Sequence, residues 1–280
     1  MMNEFLIAVD SDGCVFNNMG REHIQCFAPQ FVKYFNLQRI ALQARYCWEY
    51  VNLNSYTRGI NRFAAIPFVM ELLKSNPYVQ EINFPIPKLE SLNRLIAQGA
   101  KLCYKTIQEE ADKNNDPELK TILEWSNSVN RSIAQVAQNI PPLHIAKKNL
   151  SKMRNFADVI VVSQAPYLEI RKRWTKYKLN KYVLGLYGQE KGSKEHFLGN
   201  LTKFYDKNKM LMIGDTIFDM RAAENNGILF YPIIPRYEEY SWKRFYNESM
   251  NKFFEGSYEG KYEDKLIEEF KECFTNRLCW

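Results

Sequence analysis

Five short apolar runs punctuate an otherwise mixed chain: FLIAV (5–9), DVIVV (158–162), VLGLY (183–187), MLMIG (210–214) and ILFY (228–231). None alternates strictly between apolar and polar positions, the pattern of strands covered on both faces. Helical patterns separate the last four, over 167–177, 193–204 and 218–225. Strand and helix repeated in this way predict a parallel sheet with crossover helices, hence an α/β fold with a Rossmann-like core.

The first run stands apart from the others. From 17 to about 143 no segment reads as a strand, and the periodicity is helical. Leu37, Ile40, Ala41, Ala44, Trp48 and Val51 make one apolar stripe. Leu119, Ile122, Leu123, Ser126, Val129, Ile133, Ala137 and Ile140 make another. Further helices are expected over 67–73 and 89–107, with breaks at Asn76-Pro77, Phe84-Pro85-Ile86-Pro87 and Asn114-Asn115-Asp116-Pro117; Pro141-Pro142 closes the block. The predicted organisation is a core of 1–16 and 145–232, an all-helical insertion over 17–144, and a C-terminal helical extension over 233–280 packed on the core. Within that extension helices are expected near 237–254 and 262–274, because Trp242, Phe245, Tyr246, Phe253 and Phe254 are costly to leave in water.

Composition narrows the class. With 280 residues, 46% hydrophobic and 25% charged, and with no low-complexity tract, the chain reads as a soluble globular protein of one large or two modest domains. Its apolar runs fall far short of the ~20 residues of a membrane helix. FLIAV also lacks the basic flank and cleavage site of a signal peptide, so a cytoplasmic address and no membrane partner are expected. Six cysteines (14, 26, 47, 103, 273 and 279) without a CxxC pair read as free thiols. His23, His144 and His196 leave little from which to build a zinc site or a histidine-based triad. The net charge is +6, and 147–181 holds ten basic residues against Asp158 and Glu169. On helices such a run fits a solvated face better than a nucleic-acid footprint, so no nucleic-acid partner is expected. A basic surface also suits attraction of a small anionic substrate.

In an open parallel sheet ligands bind beyond the carboxyl ends of the strands. The residues that follow the apolar runs are Asp10 and Asp12 after the first, Ser163 and Gln164 after the second, Lys191 in the loop after the third, and Asp215 with Asp219 after the fourth. Three or four carboxylates converging in a small space repel one another unless a cation sits among them. Oxygen-only ligation points to Mg²⁺. A hard cation, a lysine and a hydroxyl around a carboxylate form a cradle for a phosphoryl group, whose transfer depends on positioning and charge neutralisation. Each residue taken alone has a plainer account: Asp12-Gly13 and Asn17-Asn18 as turns, Ser163 as a helix cap, Asp215 and Asp219 as first-turn acids, Lys191 as a surface charge.

Taken together, DSDG after an apolar strand, Ser163 after DVIVV, Lys191 in EKGSKEHF and GDTIFD over 214–219 resemble the four ordered motifs of the haloacid dehalogenase (HAD) superfamily. The helical insertion directly after the first motif resembles that superfamily's C1 cap. The resemblance covers 1–16 and about 145–232. It implies that Asp10 is a nucleophile forming an aspartyl-phosphate and that Asp12 is the general acid and base. An aspartate at that second position favours phosphate-ester chemistry within the superfamily. Mg²⁺ would be held by the Asp10 carboxylate, the Asp12 main-chain carbonyl and Asp215, with Asp219 as a further ligand or outer partner. Ser163 would hydrogen-bond the phosphoryl oxygens, and Lys191 would offset charge. Two departures stand out. Cys14 replaces the usual threonine, and Gly192 rather than proline follows Lys191, with Lys194 close by as the alternative site lysine; Lys191 is preferred, with Ser193 as N-cap.

Specificity is expected from the insertion, which would close over the site. In SYTRGINRF, Arg58 and Arg62 lie four apart, on one helix face if the helix begins near Gly59; they either meet a second anionic group of the substrate or pair with acidic neighbours. Arg21 and His23 are weaker candidates. The expected function is a Mg²⁺-dependent phosphatase acting on a small phosphorylated metabolite. The alternatives are a sugar-phosphate mutase resembling β-phosphoglucomutase and a non-catalytic phosphometabolite-binding regulator.

Overall fold

The computed structural model describes residues 3–136, 139–275 and 278. Ala137 of the second stripe and Cys279 lie outside the described residues. The apolar runs form β1 (Phe5–Val9), β2 (Ala157–Val162), β3 (Gly185–Tyr187), β4 (Met210–Gly214) and β5 (Leu229–Pro232). All pair in parallel, in the order β3-β2-β1-β4-β5. The lack of alternation has its cause in the packing. Ile7, Val9, Val159, Val161, Leu211, Ile213 and Tyr231 join one apolar core with Ile170, Trp174, Trp242 and Phe245, while the intervening Leu6, Ala8, Ile160, Met212 and Phe230 are buried as well.

Helices Tyr167–Lys176, Lys194–Leu201 and Ile217–Glu224 make the last three crossovers. β1 leads to β2 on one side of the sheet, and its other neighbour, β4, leads to β5 on the opposite side. Connections that diverge from two adjacent strands leave a crevice beyond their carboxyl ends. The residues there are Asp10 and Asp215.

The chain divides into two units. One comprises Met1–Asn18 with Ile140–Phe274 and holds the sheet; the other comprises Met19–Asn139 with Thr275–Trp280. In the first, the C-terminal segment forms helix Glu238–Arg244, a π-helical stretch Phe245–Ser249, and helices Met250–Phe254 and Lys261–Lys271. Phe245, Phe253, Tyr258 and Leu266 share the core that the sheet builds. This segment also closes one edge of the sheet. Glu263 accepts the Phe230 amide at 2.7 Å, and the Tyr258 hydroxyl donates to the Phe230 carbonyl at 2.7 Å, so both main-chain groups of that β5 residue are satisfied. The extension does not stay with the sheet to its end. The Thr275 amide donates to the Asn54 carbonyl at 3.0 Å and Tyr50 donates to the Thr275 carbonyl at 3.1 Å, which ties Thr275 into the second unit.

Among its described residues the second unit forms no strand, only helices joined by loops; the helices include Ala41–Glu49, Arg62–Ser75, Glu90–Ala97, Tyr104–Asn114 and Pro117–Val136. Its own core gathers Leu37, Ile40, Ala44, Trp48 and Val51 with Leu119, Ile122, Leu123 and Val129, around the rings of Phe27, Phe31 and Trp125. Two boundaries differ from expectation. The 89–107 segment is two helices, because the chain turns at Gly99 with φ 65°. The helix expected from Pro67 begins at Arg62, where the Asn61 side chain accepts the Phe63 amide; Pro67 lies inside it. Among the described residues no helix is long and apolar enough to cross a membrane.

Candidate active site

The β1 end is built first by its backbone. The Asp10 amide donates to the Ile213 carbonyl of β4 at 2.9 Å, which extends the pairing one residue past the strand and fixes the Asp10 side chain beside the β4 end. The chain then turns at Gly13 with φ 76°. A side chain there would be strained, and its Cβ would overlap the Asp215 carboxylate. Gly214 has the same meaning for the other motif, since a Cβ there would stand 2.5 Å from Asp219 Oδ2. The glycines of DSDG and GDTIFD thus make room for carboxylates to approach.

Asp10, Asp215 and Asp219 are all buried and offer carboxylate oxygens within 4.8 Å of one another. Asp219 is the third residue of its helix and closes a capping box: the Thr216 amide donates to Asp219 Oδ2 at 3.2 Å and the Asp219 amide donates back to Thr216 Oγ1 at 3.2 Å, while Thr216 Oγ1 also donates to Asp219 Oδ2 at 2.7 Å. Its Oδ1 accepts from Lys194 Nζ at 2.5 Å. The same ammonium lies 2.6 Å from Asp10 Oδ2. Burial pushes the Asp10 carboxyl well above the ordinary aspartate value, and the Asp219 and Asp215 charges add to the rise against the opposing pull of Lys194. For Lys194, burial alone would favour the neutral amine; the Asp10 and Asp219 carboxylates prevail and hold it above the ordinary lysine value.

The preference for Lys191 is therefore corrected. Lys191 is exposed, whereas Lys194 is buried between two carboxylates. The reason is local. Gly192 turns the chain at φ 97° and Ser193 caps the following helix by accepting the His196 amide at 3.1 Å, so the first side chain of that helix, Lys194, enters the site.

Asp12 is not one of the three clustered carboxylates. Its Oδ1 accepts from Asn18 Nδ2 at 3.0 Å and from Arg173 Nη1. Asn18 is fully buried, and its Oδ1 accepts the Gly13 amide at 3.2 Å, so the residue that ends the first segment of the sheet-bearing unit also braces the turn. Ser163 is buried one residue past β2; its amide donates to the Tyr187 carbonyl and its Oγ accepts the Ala165 amide at 3.2 Å. Gln164, beside it, is exposed. Cys14 is buried, and its carbonyl accepts the Trp242 indole at 2.9 Å.

Arg58 and Arg62 belong to the helical unit. They do not share a helix face, because the helix starts at Arg62 and Arg58 lies in the preceding turn. Arg58 donates to the Leu53 carbonyl at 3.2 Å; Arg62 donates to Asn130 at 2.7 Å and to Ser126 at 3.3 Å, and lies over the Phe27 ring. Both act on His23, which accepts the Trp48 indole at 3.1 Å and stacks on Phe27. Burial pushes His23 down to about 3, and the two arginine charges contribute.

Reasoning from sequence missed Arg173 and placed Lys194 second. Arg173 sits in the basic stretch read as a solvated face, and nothing local distinguishes it from Arg171 or Lys172.

The motif order and the parallel sheet both resemble the HAD superfamily. No protein-family model matches the sequence, and no curated protein matches it. Similar solved structures include a hydrolase from Pseudomonas syringae, 14% identical with a TM-score of 0.47, covering 86% of this chain and 90% of that one. A haloacid dehalogenase-like family hydrolase from Streptococcus pneumoniae is 12% identical with a TM-score of 0.41, covering 81% of this chain and 83% of that one. A HAD-superfamily hydrolase, subfamily IA, variant 1, from Geobacter sulfurreducens is 11% identical with a TM-score of 0.42, covering 81% and 86%.

Proposed function

We propose that the chain is a Mg²⁺-dependent phosphatase that hydrolyses a small phosphorylated metabolite through an aspartyl-phosphate on Asp10. The observation that carries this reading is the buried meeting of Asp10, Asp215 and Asp219 with Lys194 at the β1 and β4 ends. Three carboxylates around one ammonium leave an excess of buried negative charge, a donor set of oxygens alone, which suits a hard divalent cation. Asp10 and Asp215, with the Asp12 main-chain carbonyl, would hold it. Asp219 has one oxygen in its capping box and the other on Lys194, which suits an outer partner that orients the site. When bound, the cation supplies charge neutralisation to a phosphoryl group.

The residues then divide the work. The Asp10 carboxylate attacks phosphorus; the phosphorus–ester oxygen bond breaks as the bond to Asp10 forms. Asp12 gives its proton to the leaving oxygen, and in the second step takes a proton from the water that releases phosphate and restores Asp10. Lys194 keeps Asp10 directed and offsets charge on the transferring group. Ser163 supplies a hydroxyl at the neighbouring strand end. Arg58 and Arg62, beside a neutral His23, are assigned to a second anionic group of the substrate.

The test is phosphate release from p-nitrophenyl phosphate with Mg²⁺. Asp10→Asn should abolish it, and full activity in that variant would sink the mechanism. Isomerised sugar phosphate formed without free phosphate would move the reading to a mutase.

A further inference from the structure

The helix after β2 grips the loop after β1 at two consecutive points. Arg173 Nη1 donates to Asp12 Oδ1, and the Trp174 indole donates to Ser11 Oγ at 3.0 Å. Both grips are made by residues more than 160 positions along the chain from their partners. Both are also anchored on Phe16, which is fully buried: the Arg173 guanidinium lies over its ring, 5.5 Å from the centroid, and Trp174 meets it edge-on at 6.1 Å. A flexible surface ion pair would leave both partners in water. Here the Arg173 and Asp12 side chains keep only 21% and 28% of their exposure.

The geometry at Asp12 is one-sided. A carboxylate has two equivalent oxygens and turns easily about its last bond. At Asp12 both donors, Arg173 Nη1 and Asn18 Nδ2, meet the same oxygen, Oδ1. The equivalence is broken, and Oδ2 is the oxygen left to work. A planar guanidinium stacked on a ring can hold such an orientation, where an ammonium on a mobile stem holds it less well.

Building on the phosphatase reading, we propose that Arg173 is a positioning residue for Asp12: it fixes Oδ1 so that Oδ2 exchanges the proton with the leaving oxygen and the hydrolytic water. Arg173 itself does not touch the transferring group. Through the helix that carries it, the orientation of Asp12 is tied to the β2 end that delivers Ser163.

The experiment compares two aryl esters with the full chain and Mg²⁺. p-Nitrophenyl phosphate loses a stable phenolate that needs little help from an acid, while phenyl phosphate depends on a proton delivered in place. In a single turnover, Arg173→Met should slow release of phenol from phenyl phosphate by about tenfold or more and release of p-nitrophenol from p-nitrophenyl phosphate by less than about threefold, since this step precedes the water attack that both esters share. Asp12→Asn should show the same selectivity, and Arg173→Met added to Asp12→Asn should cost nothing further. Arg173→Lys, which keeps the charge and guards against a folding defect, should show the same preference at a smaller factor. Equal losses on both esters or additive losses in the double variant would overturn the positioning role. If Asp10→Asn stays active, the phosphatase reading itself fails; if Asp10→Asn is dead while Arg173→Met is indifferent to the leaving group, only the role of Arg173 falls.

Discussion

Lys194 is the residue on which the site balances. Its ammonium lies 2.6 Å from Asp10 and 2.5 Å from Asp219, out of water, and Asp215 stands within reach of both carboxylates. Taking away one partner of a buried ion pair leaves the others uncompensated, at about 3–5 kcal/mol. Lys194→Met should therefore melt at a lower temperature than the parent and lose about 10²-fold or more in kcat for phosphate release. Lys191→Met, on the exposed side of the same loop, should stay within about twofold of the parent in both measurements. The opposite pattern would return the site to Lys191. This pair also marks how far a sequence can be read. Asp10 and Asp215 were legible because each follows an apolar run directly, and the place of a strand end is written in a few adjacent residues. Choosing between two lysines three apart needs the phase of a helix, which depends on the Gly192 turn and the Ser193 cap together. Arg173 was not legible at all, because its partner Asp12 is brought to it only by the pairing of β1 with β2.

At the scale of elements, β1, β2, β4 and β5 were visible as apolar runs because burial on both faces removes polar positions, while the half-buried β3 kept an apolar run without full burial. The edge of the sheet was not visible in this way. Its protection comes from Tyr258 and Glu263, two polar side chains whose partners are the main-chain groups of Phe230. Burial pushes the Glu263 carboxyl up to about 7, against the downward pull of the Phe230 amide. An acid whose folded value exceeds its unfolded value binds more protons when folded. Its contribution to stability is then whole below the ordinary glutamate value near 4.5 and is lost as pH rises toward about 7. Glu263→Gln keeps an oxygen for the Phe230 amide and removes the titration. The melting temperature of this variant relative to the parent should therefore climb between about pH 4.5 and 7 and level off above. A difference that is flat across that interval would show that Glu263 keeps its proton equilibrium on folding.

At the scale of the whole molecule, two apolar cores are assembled from different residues: one around the sheet with Trp174 and Trp242, the other around Trp48 and Trp125. Each core has its own opening free energy, and a ligand raises only the openings that destroy its site. The cation proposed for the Asp10, Asp215 and Asp219 cluster bears on the first core alone, because all three carboxylates belong to β1, β4 and the residues that follow them. The relief should be large there, since the cation removes repulsion that burial magnifies. Hydrogen exchange followed by mass spectrometry should show slower exchange over Phe5–Val9, Met210–Gly214 and Ile217–Glu224 when Mg²⁺ is added, and recovery on chelation. Over Pro117–Val136 of the second core, exchange should change little. Asp215→Asn, which removes one charge of the cluster, should cut the Mg²⁺-dependent protection while leaving exchange over Pro117–Val136 as it was. Protection spread evenly over both cores, or present in full in Asp215→Asn, would place the cation elsewhere than at the ends of β1 and β4.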